Sequence, residues 1–231
     1  MGQHERLAPA IPWLLFLMMM VFFALFPRLL LAALLLRMSE GLEIAYSTAS
    51  TFFLTASFGF ITGLLTSGFI SKALTHRWTI VFGIGLCGVS LLILGRLHTV
   101  FLVHLVLFTL GFGNGMYPGS GIASVTSLAP DAHRGKALAL HEAGPNLAFI
   151  TAPIIAAILA PWVGWRGVFT FAGLAALTAS LLFAFFGRGN RERGEPPHFE
   201  NLKLFITNRS FWALSVLFML AASCAIGVYS V

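Results

Sequence analysis

Long apolar runs, each near the roughly 20 residues that a helix needs to cross a bilayer, constrain this chain more than any other feature. They fall at 11–36, 45–71, 78–95, 99–126, 137–160, 167–187 and 210–231. Inside hydrocarbon no water is present to bond exposed N–H and C=O groups, so such runs must close their backbone bonds as helices. With 58% hydrophobic and 10% charged residues, the chain lacks the polar side chains to cover a water-soluble surface, for which about 25% charged residues is usual. The expected fold class is all-α, a polytopic membrane helix bundle with the lipid bilayer as its first partner. The first run exceeds the apolar core of about 7–15 residues in a cleaved signal, and no A-x-A-like site follows it. It reads as the first span.

The breaks between runs set organisation and orientation. Arg6, Lys72, Arg77, Arg134, Lys136, Arg188, Arg191, Arg193, Lys203 and Arg209 fall on one side; Arg37, Arg96 and Arg166 fall on the other. Lys and Arg concentrate in cytoplasmic loops, so the N-terminus is expected in the cytoplasm, beneath an inner or plasma membrane. The net charge of +6 is spread over these short breaks, a pattern that argues against a nucleic-acid partner. Trp13, Trp78, Trp162 and Trp165 sit near span ends, where an interfacial aromatic belt is expected. Cys87 and Cys224 lie inside apolar runs and read as packing residues. The expected domains are a six-helix bundle at 1–187, a polar cytoplasmic linker at 188–209 and a seventh span at 210–231. That last span begins a second half. Apolar sequence continues to Val231, which suggests a fragment whose remaining partner is the C-terminal half of the same protein.

Several motifs follow one another in a recognisable order. Between the second and third runs, GFISKALTHR at 68–77 resembles the loop signature G-x-x-x-D-R-x-G-R-K of the Major Facilitator Superfamily. Gly68 matches, His76 and Arg77 fill the basic positions, Lys72 replaces the acidic residue, and Thr75 replaces the second glycine. GFGNGMYPGSG at 111–121 is similar to that family's glycine-spaced fourth helix, and APDAHRGKALAL at 129–140, with Arg134, is similar to its P-x-x-x-R-G-K-A turn. GWRGVF at 164–169 resembles the W-R-x-x-F that opens the sixth helix. The resemblance implies a secondary transporter working by alternating access, with inverted three-helix repeats in each half and a site near mid-membrane. Gly68, Lys72, His76, Arg77 and Arg134 would then form the conformational motif. On physical grounds the glycines allow close helix approach. Pro118, Pro145 and Pro153 each delete a backbone donor and are expected to bend their helices.

Arg28 lies well inside the first run, after Pro27. An arginine at mid-span is costly in lipid, about 2.5–3.5 kcal/mol on insertion scales, and so should face protein or water. Either it snorkels or pairs structurally, or its planar fork binds an anionic solute in a central cavity. Its depth resembles the organic-anion branch of the superfamily. Glu142, with Asn146 and Phe149 on the same helix face, is the candidate proton-coupling residue, because burial of a carboxylate favours its protonated form. The alternative is a structural ion pair with Arg134 or Lys136. His141 adjoins Glu142 in sequence but points to another face. Asn114, Tyr117 and Asn146 are candidate solute-binding residues, and His104, Ser47, Thr51 and Thr55 read as interhelical hydrogen-bonding groups.

Among function classes, a carrier leads. It would move a small solute, either an organic anion coupled to protons or a hydrophobic compound in efflux. No G-x-x-x-x-G-K-[ST], H-E-x-x-H or G-x-S-x-G appears and the only Asp is Asp131, so no enzyme, catalytic residue, metal or cofactor is expected. A non-transporting receptor or scaffold of the same fold stays open.

Overall fold

The computed structural model describes residues 7–195 and 207–228, and all regular structure among them is helical. The helices are α1 (Ile11–Gly41), α2 (Tyr46–Leu74), α3 (His76–Leu94), α4 (Val100–Leu128), α5 (Arg134–Phe186) and α6 (Arg209–Val228). Contacts divide the chain into a unit ending at Glu195 and a second beginning at Pro196. The second contributes α6, whose first turn is capped by Asn208. Its Oδ1 accepts from the N–H groups of Ser210 at 3.0 Å and Phe211 at 3.3 Å, the usual way to satisfy free donors at a helix start. Arg6, Lys203 and the last three residues lie outside the described residues, as does the Cys224 side chain.

Five of the described helices, α1 to α5, are long and apolar enough to cross a membrane. The fifth needs explanation. Its 53 residues would measure about 80 Å if straight, against a hydrocarbon core of about 30 Å. It is not straight, because Gly164 adopts φ 67°, ψ 171°, a conformation essentially reserved for glycine. The chain reverses there, bringing Phe183 of the second arm onto Phe16 while Gly144 of the first arm meets the Met18 carbonyl. The two arms, 134–163 and 165–186, correspond to the fifth and sixth expected spans. The loop expected at 161–166 is replaced by a single-residue hinge, because a glycine free to take positive φ can turn the chain without one.

The helices α2 and α3 are joined in the same way. Thr75 alone separates them, with φ 86°, ψ 157°. Thr75 and Gly164 lie 89 residues apart (164 less 75), the same spacing as the starts of α1 and α4 (100 less 11). The unit is thus two triplets, α1–α2–α3 and α4 with the two arms of α5. Each triplet closes on the other: α2 packs on α4, and α1 on the first arm of α5. Gly59 and Gly63 sit against the carbonyls of Phe108 and Phe112, while Gly111 and Gly115 sit against those of Ala56 and Phe60. A methyl group at any of these would overlap backbone. With little hydrophobic drive between helices in lipid, such contact through small residues supplies the packing.

Each hinge is followed two residues later by an arginine. Arg77 donates from Nη2 to the Ala184 carbonyl at 2.7 Å, near the end of the second arm of α5. Arg166 donates from Nη2 to the Leu97 carbonyl at 3.3 Å, just past the end of α3. Both therefore tie off the third helix of the opposite triplet, where free carbonyls and the helix dipole favour a cation. Arg166 also lies 4.2 Å over the ring of Trp165. That stacking corrects the expectation for Trp165, which is buried against Gly41 instead of standing in the interfacial belt. Trp162 and Trp78 are exposed near span ends. Leu54, Phe58, Ile61 and Leu65 of α2 and Ile150, Ile154 and Ile158 of α5 are also exposed; helices this apolar outside as well as inside suit lipid, not water. The helices continue through Pro27, Pro118, Pro145, Pro153 and Pro161.

Candidate functional site

Arg28 extends outward from α1, exposed, with Nη2 donating to Ser57 Oγ of α2 at 3.3 Å. Among the described residues no carboxylate lies within ion-pair distance of it. A permanent cation in a span, held by one hydroxyl and no acid, retains donors for an incoming anion.

A connected polar chain runs through α1, α4 and the first arm of α5. The Tyr117 hydroxyl lies 3.0 Å from the Leu17 carbonyl and 2.8 Å from His141 Nε2. His141 Nδ1 lies 3.1 Å from Glu142 Oε1. His141 and Tyr117 are buried, whereas the Glu142 side chain is 62% exposed. The two neighbours do leave the helix on different faces, as expected, yet their side chains meet because the flexible glutamate reaches back. Arg134 pairs with Asp131 at 2.8 Å, so the ion pair weighed between Glu142 and Arg134 is absent. Asn146 shares the exposed face of Glu142 and donates from Nδ2 to its carbonyl at 2.9 Å.

The other candidates separate from this group. Asn114 is buried between α3 and α4, its Oδ1 accepting from Cys87 Sγ at 2.7 Å. It faces into the bundle packing, not an open cavity. Tyr117 is likewise closed off from solvent. His104 joins α4 to α2, its Nδ1 2.6 Å from Thr55 Oγ1 and its Nε2 3.4 Å from Thr51 Oγ1.

At the end of the bundle bearing the start of α1, residues of the expected linker form a strap across the start of α3. The N–H groups of His76 and Arg77 donate to the carbonyls of Glu192 (3.2 Å) and Asn190 (3.0 Å), and Gly194 N–H donates to the Ser71 carbonyl at 3.2 Å. Asn190 N–H reaches Ser124 Oγ at 3.1 Å, and His76 Nδ1 lies 3.2 Å from Ser120 Oγ. Arg188 stacks 4.7 Å over Trp13. The strap thus bridges α1, α2, α3 and α4 beside Gly68, which accepts from Ser71 Oγ at 3.1 Å. Lys72 projects outward, exposed. Sequence reading missed this strap and the Ser120 and Ser124 partners. The sole signal was the Asn190-x-Glu192 turn, in which Glu192 N–H donates to Asn190 Oδ1 at 2.8 Å, as Asn side chains do in such turns. Among the described residues no group of three His, Cys, Asp or Glu side chains could hold a metal.

Comparison with known proteins agrees with this architecture. The family model described as Major Facilitator Superfamily matches residues 14–231. A crystal structure of a POT family transporter in complex with a thioalcohol-conjugated peptide superposes with a TM-score of 0.68 at 17% identity, covering 93% of this chain and 47% of that one. A POT family transporter in complex with 5-aminolevulinic acid gives the same values. A peptide transporter POT in complex with alafosfalin gives a TM-score of 0.64 at 15% identity, over 99% of this chain and 50% of that one. The chain therefore spans about half the length of these solved transporters. No curated protein matches it.

Proposed function

The chain belongs to the Major Facilitator Superfamily, and from that premise we propose that it forms one six-helix half of a secondary active transporter, with its N-terminus in the cytoplasm of the cell membrane. The polar linker begins at the strap, and α6 opens the second half. A second bundle of the same kind supplies the other wall of the solute cavity, and the carrier works by alternating access. The solute is a small organic anion, held by the unpaired guanidinium of Arg28 with Asn146 as a further polar contact, and its movement is coupled to protons at Glu142 and His141. One observation carries this reading: an exposed arginine within a span, bonded to Ser57 and to no acid among the described residues. Arginine keeps its charge at every relevant pH, so it attracts an anion whether or not protons move.

The test is uptake by proteoliposomes holding the full-length protein, with and without an imposed pH gradient, over a panel of carboxylates and phosphate esters. Arg28→Lys keeps the charge but loses the two-pronged fork. It should weaken binding of a preferred anion by about tenfold or more, since charge-assisted bonds contribute about 1.5–3 kcal/mol. Uptake of hydrophobic cations or neutral drugs, unaffected by Arg28→Lys, would replace this reading with efflux. Absence of any flux, with binding retained, would point to a receptor of the same fold.

A further inference from the structure

The bonds around Tyr117 fix where protons must sit. Its hydroxyl has a single proton and two partners, the Leu17 carbonyl and His141 Nε2. A carbonyl oxygen only accepts. The hydroxyl proton therefore goes to Leu17, and Nε2 donates its own proton to the hydroxyl oxygen. A neutral imidazole protonated at Nε2 has a bare lone pair at Nδ1, and here that lone pair faces Glu142 Oε1 at 3.1 Å. Two acceptors at hydrogen-bond distance need a proton between them, either on the carboxyl or on an imidazolium.

We propose that the His141–Glu142 pair is a proton-binding site whose occupancy decides whether Tyr117 is tied to α1 as well as to α5. The occupied state is the one described: Tyr117 O–H to Leu17, Nε2–H to Tyr117, and one proton shared by Nδ1 and Oε1. Release of one proton to water leaves two among these groups. The ring then keeps its proton on Nδ1, donating to the carboxylate, and Nε2 becomes an acceptor. The Tyr117 hydroxyl proton turns from Leu17 to Nε2, so α4 loses its tether to α1 while its bond to α5 persists with donor and acceptor exchanged. No bond to carbon changes and no electron moves. Glu142 is the port, with 62% of its side chain exposed, and His141 is the seat, at 3%.

The surroundings leave the pair to act alone. α4 presents Tyr117, and α1 presents the carbonyls of Leu17 and Met18 with the apolar Val21 near Gly144. On α5 itself Asn146 is neutral, Arg134 is taken by Asp131, and Lys136 lies more than a turn away. Among the described residues Glu142 is the only charged group paired with His141. The inference deepens the proton-coupling reading and rests on it only for the site's part in transport.

The experiment is nitrogen NMR of the full-length protein in lipid nanodiscs with ring-labelled histidine, across about pH 5 to 9, the range in which histidines titrate. His141 resonances are assigned by their loss in His141→Gln. The expected result is a switch of the ring proton from Nε2 at low pH to Nδ1 at high pH. Glu142→Gln carries its own N–H donor to Nδ1, so it should hold the Nε2–H form at every pH. Tyr117→Phe removes the Nε2 acceptor and should uncouple the tautomer from pH. A ring that stays Nδ1–H throughout, or a Glu142→Gln protein that still switches, overturns the site. The readout needs no flux. A chain that switches but carries no solute would retain the site and lose the transport reading; pH-driven transport without the switch would do the reverse.

Discussion

Replacing Thr75 with glycine should make this protein more stable. At φ 86°, ψ 157° a β-branched residue is a true outlier, because its Cβ crowds the adjacent backbone. Residues held in such regions cost about 1–3 kcal/mol each. Threonine gains little in return. It stands at the N-cap of α3 yet makes no side-chain capping bond, since capping needs an extended backbone that this hinge does not have. Glycine brings its own cost, about 0.5–1 kcal/mol from the greater freedom of the unfolded chain. The net gain is therefore about 0–2.5 kcal/mol, centred near 1 kcal/mol. For a chain of this length that raises Tm by up to roughly 10 °C. The assay is thermal unfolding in detergent micelles followed by tryptophan fluorescence at one fixed scan rate, because irreversible unfolding makes Tm rate-dependent. Thr75→Ala is the control, since it removes the same polar group but retains Cβ, and it should gain nothing. If Thr75→Gly is no more stable than Thr75→Ala, the strain argument is wrong. The mirror experiment is Gly164→Ala, where an added methyl meets nothing within 4 Å; only backbone strain can act there, and a loss of about 1–3 kcal/mol is expected.

Three further outcomes follow from the packing and the site. Gly111→Ala drives a methyl into the Ala56 carbonyl and should cost about 1–3 kcal/mol, while Gly135→Ala, in open space, should be neutral or mildly stabilising; equal effects in the same unfolding assay would refute the α2–α4 account. Arg166→Gln removes the bonds to the Leu97 carbonyl and the stacking on Trp165, so a loss of about 1–2 kcal/mol is expected. In transport, Glu142→Gln should abolish uptake driven by a pH gradient and leave solute exchange intact, and retained coupling would sink its role.

The membrane class, the helix positions and the outlying Arg28 were legible because each is a local property. A run of apolar residues is a span wherever it packs, and a charge inside one is conspicuous without a partner. The site was legible only in parts. Tyr117 meets a carbonyl 100 residues away, a pairing that no helical periodicity contains. Helix geometry places His141 and Glu142 on separate faces, and the reach of a glutamate side chain undoes that separation. Asn114 illustrates the opposite error: a polar residue in a glycine-rich span suggested a cavity, but Cys87 on α3 takes it into the packing. The 161–166 segment suggested a loop, because Pro161 and the residues after it break the apolar run; only the backbone angles of Gly164 reveal that one residue suffices.

The matched hinges also bear on descent and on mechanics. Two joints of one shape, 89 residues apart (164 less 75), each followed by an arginine that ties off the other triplet, are the remains expected of a doubled three-helix ancestor. The copies have since diverged into unlike joints. Glycine has many conformations open to it, while threonine at 75 has few, and its neighbours His76 and Arg77 are bound by the strap at 190–194. One end of this half therefore carries a joint with many conformations open to it, and the other end a joint with few.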